Sequence, residues 1–91
     1  MKKEQVAEIK KYVDTITGTT YRKTFNEKSA TLHIRIGTYT DGSKDQGWLN
    51  SKVEERNAII RKISKQFPGF EVAENNKRYQ GFINDICITV R

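Results

Sequence analysis

Thr31-Leu32-His33-Ile34-Arg35-Ile36 alternates polar with apolar residues, and Ile86-Cys87-Ile88-Thr89-Val90 repeats that alternation near the other end of the chain. Alternation of period two marks a strand with one buried face, because successive side chains project to opposite sides of a sheet. Each strand closes a similar series. Ile9-Lys10-Lys11 leads nine positions later to Gly18, and Ile60-Arg61-Lys62 leads nine positions later to Gly69. After each glycine come a short extended stretch, a polar turn and the alternating strand. The order is helix, hairpin, helix, hairpin. It predicts an α+β two-layer sandwich, pseudo-repeated α-β-β-α-β-β, with a four-stranded, mostly antiparallel sheet and two helices on one face. The two units span 6–37 and 57–91, with few identities between them, so an internal repeat and a shared local order are both consistent with the pattern.

Outward from these strands the elements follow from periodicity. Val6, Ile9, Val13 and Ile16 recur at helical spacing and predict a helix over about 3–16, ended by Gly18. Tyr21, Lys23 and Phe25 alternate with Arg22 and Thr24, and Asn26-Glu27-Lys28-Ser29 supplies a turn, so 20–36 reads as a hairpin. Its inner face is Tyr21, Phe25, Leu32, Ile34 and Ile36, and its outer face Arg22, Thr24, Thr31, His33 and Arg35. Ser51-Lys52-Val53-Glu54 has capping-box spacing for a second helix, with an earlier start near Asp45 as the alternative. That helix carries Leu49, Val53, Ile60, Ile63 and Phe67 as an apolar stripe, flanked by Trp48 and Ile59, and ends at Pro68-Gly69. Phe70 and Val72 open a third strand, Asn75-Asn76-Lys77 reads as a turn, and Phe82 to Val90 form the fourth strand with Phe82, Ile86, Ile88 and Val90 inward.

Ninety-one residues make a single domain, 1–91, in which nearly all apolar residues are needed for one core. Apolar runs are too short for a transmembrane helix, and no hydrophobic segment follows Met1-Lys2-Lys3, so neither membrane association nor a secretory signal is expected. The single cysteine, Cys87, has no internal disulfide partner, which suits a cytoplasmic location in a bacterial host. Frequent Lys, Ile and Asn suggest an AT-rich bacterial or phage genome. Seventeen basic against eleven acidic residues give a net charge of +6, which favours nucleic acid, a nucleoprotein or an acidic protein surface as partner. The basic residues are dispersed, so any basic footprint has to be assembled by the fold.

Candidate chemistry is sparse. Gly37-Thr38-Tyr39-Thr40-Asp41-Gly42-Ser43-Lys44 follows a strand and precedes a helix, but the Ser-Lys order reverses the lysine and hydroxyl positions of a phosphate-binding loop. It reads as a connector in which Tyr39 and Lys44 are candidate contact residues. His33 and Cys87 occupy equivalent positions in the two units and would share the outer sheet face. A Cys–His dyad then needs the two hairpins side by side at the centre of the sheet. One Cys and one His fall short of a metal site, and no cofactor or metal is expected. The polar sheet face is the leading candidate surface. Arg22, His33, Arg35 and Arg91 project from it, with Glu71 and Asp85 diluting the charge, and arginine forks suit phosphate or carboxylate. The strand aromatics fall on the inner face, which argues against base-stacking recognition of single strands. On the second helix, Arg56, Arg61, Lys62 and Lys65 offer a basic face, with Arg61 and Lys65 four apart.

The pattern Ile60-Arg61-Lys62, Phe67-Pro68-Gly69-Phe70-Glu71-Val72, Arg78-Tyr79-Gln80-Gly81 and Ile86-Cys87-Ile88-Thr89-Val90 resembles the small helix-plus-hairpin modules of large polyvalent proteins of phages and plasmids. The likeness covers 57–91 and implies a mobile-element setting, with no catalytic residues to transfer. In size and context the chain is similar to phage anti-defence proteins, including anti-CRISPR proteins. The expectation is therefore a non-enzymatic accessory protein that binds a host protein or nucleoprotein complex and blocks it sterically. Direct DNA or RNA binding is the alternative, and open sheet edges also allow a homodimer.

Overall fold

The computed structural model describes residues 1–18, 21–38, 46–79 and 82–91, with the side chains of 46, 79 and 82–84 outside the description. Helix α1 (Lys3–Thr17) is followed by strands β1 (Arg22–Asn26) and β2 (Thr31–Thr38). Helix α2 (Gln46–Gln66) then leads to β3 (Val72–Glu74), β4 (Lys77–Tyr79) and β5 (Phe82–Val90). The fold is α+β, with two helices and an open antiparallel sheet of five strands.

Helix α1 ends where the sequence places its stop. Gly18 adopts a left-handed backbone with φ 65°, which glycine enters without the steric penalty of a Cβ. Between β1 and β2, the Asn26 side-chain oxygen accepts hydrogen bonds from the backbone N–H groups of Lys28 and Ser29, at 3.0 and 3.4 Å, and stabilises the turn.

The strand order is β1-β2-β5-β3, so the last strand of each half lies at the centre of the sheet. Leu32 pairs with Val90 and Ile34 with Ile88, bringing the inward residues of both alternating stretches together. They join Ile36, Ile86, Val6, Ile9 and Val13 of α1, and Ile59 and Ile63 of α2 in one core. Each fully buried Ile contributes about 1.5–3 kcal/mol relative to exposure, which explains why both helices cover this face. Ile59, expected beside the apolar stripe, is part of the core, whereas Ile60 is only half-buried.

Three expectations are corrected. Helix α2 begins at Gln46, as the alternative start near Asp45 anticipates, so Ser51 and Glu54 lie within it and do not form its N-terminal cap. The turn expected at Asn75-Asn76-Lys77 is a kink within one line of pairing. Glu74 pairs with Ile88, Asn75 N–H donates to the Cys87 carbonyl at 2.9 Å, and Lys77 pairs with Asp85. The expected third strand is β3, and β4 begins within the expected turn and continues along the same side of β5, which makes five strands where four were expected.

The third correction concerns Arg56, which is 3% exposed and not part of a solvated helix face. It donates to Glu74 at 2.6 Å, to Asn76 at 2.8 Å and to Asn57 at 3.2 and 2.9 Å. These bonds fasten α2 to the β3–β4 kink. At the other side of the sheet, Lys23 donates to Asp14 at 2.6 Å and to the Tyr21 carbonyl at 2.8 Å, and the Tyr21 hydroxyl donates to Glu55. Buried polar side chains thus tie both edges of the sheet to the helices.

Among the described residues, no helix is long and apolar enough to cross a membrane.

Candidate functional site

The face of the sheet opposite the helices carries the outward residues of β1, β2, β4 and β5. Register alone assembles a polar cluster there. Arg22 lies opposite Arg35, Thr24 opposite His33, and Arg35 opposite Cys87, while Asp85 lies between Thr38 on one neighbour and Lys77 on the other. Arg22, Thr24, His33, Arg35, Lys77, Asp85 and Cys87 line a hollow of about 270 Å³.

A β-bulge interrupts β2 just beyond Arg35. Pairing between β2 and β5 shifts between Arg35 and Gly37, so Gly37 faces Ile86 and Thr38 faces Asp85. The extra residue turns Gly37 towards the helices and rephases Thr38 onto the open face. On the helix side Gly37 has little room. A Cβ built there would stand 3.1 Å from the Trp48 ring and 3.3 Å from the Lys52 side chain. Glycine therefore lets half-buried Trp48, expected beside the apolar stripe of α2, pack over the bulge.

The electrostatics of the cluster are unbalanced. Like charges directly opposite on neighbouring strands destabilise a sheet, yet Arg22 and Arg35 face each other. Among the described residues, the ion pairs are Lys3–Glu27, Lys23–Asp14, Lys52–Glu55 and Arg56–Glu74, and none involves Arg22, Arg35 or Lys77. Asp85 is paired with neither neighbour. Its Oδ1, the His33 Nδ1 and the Thr38 Oγ1 are withdrawn from solvent without hydrogen-bond partners. Such atoms are uncommon in native proteins, and each costs about 1–3 kcal/mol if nothing completes it.

The adjacency required for a Cys–His dyad is met in part. Strands β2 and β5 are neighbours, and His33, opposite Thr89, is diagonal to Cys87. The chemistry is not prepared for a nucleophile. Burial pushes the Cys87 thiol up from its ordinary value and Asp85 adds to this, while Lys77 and Arg35 only partly oppose it. The thiol stays protonated at neutral pH, and the reactive species would be the thiolate. Among the described residues, no group of three or more His, Cys, Asp and Glu side chains is arranged to hold a metal ion.

Of the residues expected at a site, Arg22, His33 and Arg35 meet in the hollow. Arg91 does not. It lies beyond the far end of β5, exposed, and exchanges backbone hydrogen bonds with Glu71 at 2.9 and 3.1 Å. At about 3.3 Å per residue, four strand positions separate it from Cys87 by roughly 13 Å. Arg61 and Lys65 are exposed on α2, in the helix layer on the other side of the sheet. Tyr39 and Lys44 lie outside the described residues. Lys77 was missed because Asn75-Asn76 before it read as a turn. Asp85 was legible only as a residue diluting the charge of the face.

Comparisons with protein families, with curated proteins and with solved structures give no match for this chain.

Proposed function

We propose that the protein is a non-enzymatic binding protein that docks the open face of its sheet onto an anionic partner. The observation that supports this is the facing pair Arg22 and Arg35, with Lys77 nearby, around a hollow in which no carboxylate is ion-paired to them. Their mutual repulsion is relieved when a phosphate or carboxylate enters, so binding recovers what folding sacrifices. The protonated Cys87 thiol supports a binding role over nucleophilic catalysis. Combined with the mobile-element resemblance of 57–91, the reading is of a phage or plasmid accessory protein acting in a bacterial cytoplasm. It would occupy a host nucleoprotein or defence machine and obstruct it sterically. On the same reading, the units 6–37 and 57–91 derive from one duplicated helix–hairpin, an idea supported by the central position of β2 and β5.

The test is affinity capture from a bacterial lysate, with and without nuclease, using the wild type, R22E/R35E and R61E/K65E. Captured species should be lost from R22E/R35E and retained by R61E/K65E. Equal capture by all three removes the sheet face from the proposal. Direct nucleic-acid binding is the second reading, favoured by the arginines and lysine that line the hollow, which suit phosphate. It requires affinity that falls steeply with salt as counterions are released.

A further inference from the structure

The contents of the hollow specify its ligand more narrowly than a general basic surface would. Arg22, Arg35 and Lys77 supply three positive charges and Asp85 one negative, leaving +2 with histidine counted as neutral. A phosphodiester inside a nucleic-acid strand carries a single negative charge, whereas a phosphate monoester carries about −1.5 to −2 at pH 7 and offers three acceptor oxygens. The charge of the hollow therefore matches a terminal phosphate. Its size agrees. About 270 Å³ falls just below the roughly 300–1,000 Å³ typical of small-molecule sites, enough for a phosphate with the sugar that bears it.

Asp85 adds a second requirement. An ionised carboxylate only accepts hydrogen bonds. Among the described residues Asp85 has no ion-pair partner although three cationic side chains line the same hollow, and with Oδ1 shut off from solvent it is Oδ2 that a ligand can reach. His33 Nδ1 is also unsatisfied. A bare oxyanion would meet the arginines and repel Asp85, so a suitable ligand brings hydrogen-bond donors beside its phosphate. Sugar hydroxyls provide them. Among the described residues no Phe, Tyr or Trp lines the hollow, so the recognition argued here is of the phosphate and its sugar.

We propose that this hollow binds a nucleoside monophosphate group, presented either by the phosphorylated end of a nucleic-acid strand, probed here at its 5′ end, or by a free nucleotide. Arg22, Arg35 and Lys77 hold the phosphate, Thr24 adds a hydroxyl donor, and Asp85 Oδ2 accepts from the sugar. The inference rests on the reading that the sheet face docks an anionic partner and adds the identity of the docked group.

The experiment is fluorescence polarisation with one 3′-labelled oligonucleotide sequence, as RNA and as DNA, carrying either a 5′-phosphate or a 5′-hydroxyl. The phosphorylated strand should bind about tenfold more tightly or better. That difference should vanish in R35M and in K77M, each checked for an unchanged circular dichroism spectrum, and persist in R61M/K65M. Competition with adenosine 5′-monophosphate separates the two sources: equal affinity assigns the free nucleotide, and weaker competition assigns the strand end. Equal binding of phosphorylated and unphosphorylated strands overturns the inference while leaving anionic docking in place. No binding of either strand also overturns it, and the lysate capture with R22E/R35E then decides the docking reading independently. A phosphoserine peptide binding as tightly as the phosphorylated strand overturns the nucleotide assignment.

Discussion

The two faces of β2 and β5 are built from alternate residues of the same strands, and they obey different rules. Inward, Leu32, Ile34, Ile86, Ile88 and Val90 are buried against both helices, and every one is apolar. Outward, His33, Arg35, Asp85, Cys87 and Thr89 stand on the same backbone, and three polar atoms there or beside them lack partners. The inner face is settled by the removal of hydrocarbon from water, a non-directional force that tolerates no charge without a partner. The outer face retains repulsion between like charges and unsatisfied atoms, features that folding alone does not favour. Residues that work against stability within an otherwise consistent fold point to function.

The largest expected effect tests the inner face. Ile88→Ala removes a fully buried side chain at the centre of the sheet, and urea denaturation should show a loss of about 2–5 kcal/mol. An outward substitution on the same strand that costs as much would erase the contrast between the faces.

Glu74 sharpens the comparison because it is a charged residue in register with inward Ile88, itself largely exposed and bonded to buried Arg56. Glu74→Ala leaves buried Arg56 with only its asparagine acceptors, and because the Glu74 carboxylate is itself largely exposed the cost should be about 1–3 kcal/mol. Arg56→Met removes the charge and keeps the packed stem, so it should cost less. The double variant R56M/E74A should be more stable than E74A by chemical denaturation. If E74A is the more stable of the two, the arginine is not held by this ion pair.

The smallest effect belongs to Cys87, the outward residue that is nonetheless 3% exposed. Its folded-state thiol is raised above the ordinary value, so the unfolded chain loses its proton first. Stability should therefore fall as pH rises past 9.0, the thiol's ordinary value, and be unaffected by this group below it. Cys87→Ser should show a shallower alkaline decline in urea midpoint than the wild type. Identical declines would mean that burial does not perturb the thiol.

Much of the inner face was legible before any coordinates. Alternation named Ile34, Ile36, Ile86, Ile88 and Val90, helical spacing named Val6, Ile9 and Val13, and Gly18 marked the end of α1. Arg56 was misread because a charge on a helix defaults to solvent unless its partner is known, and Glu74 lies eighteen residues away. Lys77 was misread because two asparagines look like a turn, whereas Asn76 accepts a hydrogen bond from Arg56 at a kink in a continuing ladder.

The sequence by itself determined most of the apolar residues that avoid water, because hydrophobic burial is written in local periodicity and a strand of period two has only two faces to choose between. It also determined the charge available for a partner. The tertiary structure alone decided that β2 lies against β5, that a bulge at Gly37 turns Thr38 towards Asp85, and that Arg22, Arg35 and Lys77 share one hollow. Those are questions of register between segments far apart in the chain. Register depends on how two separate hydrophobic patterns pack together, which neither pattern specifies alone.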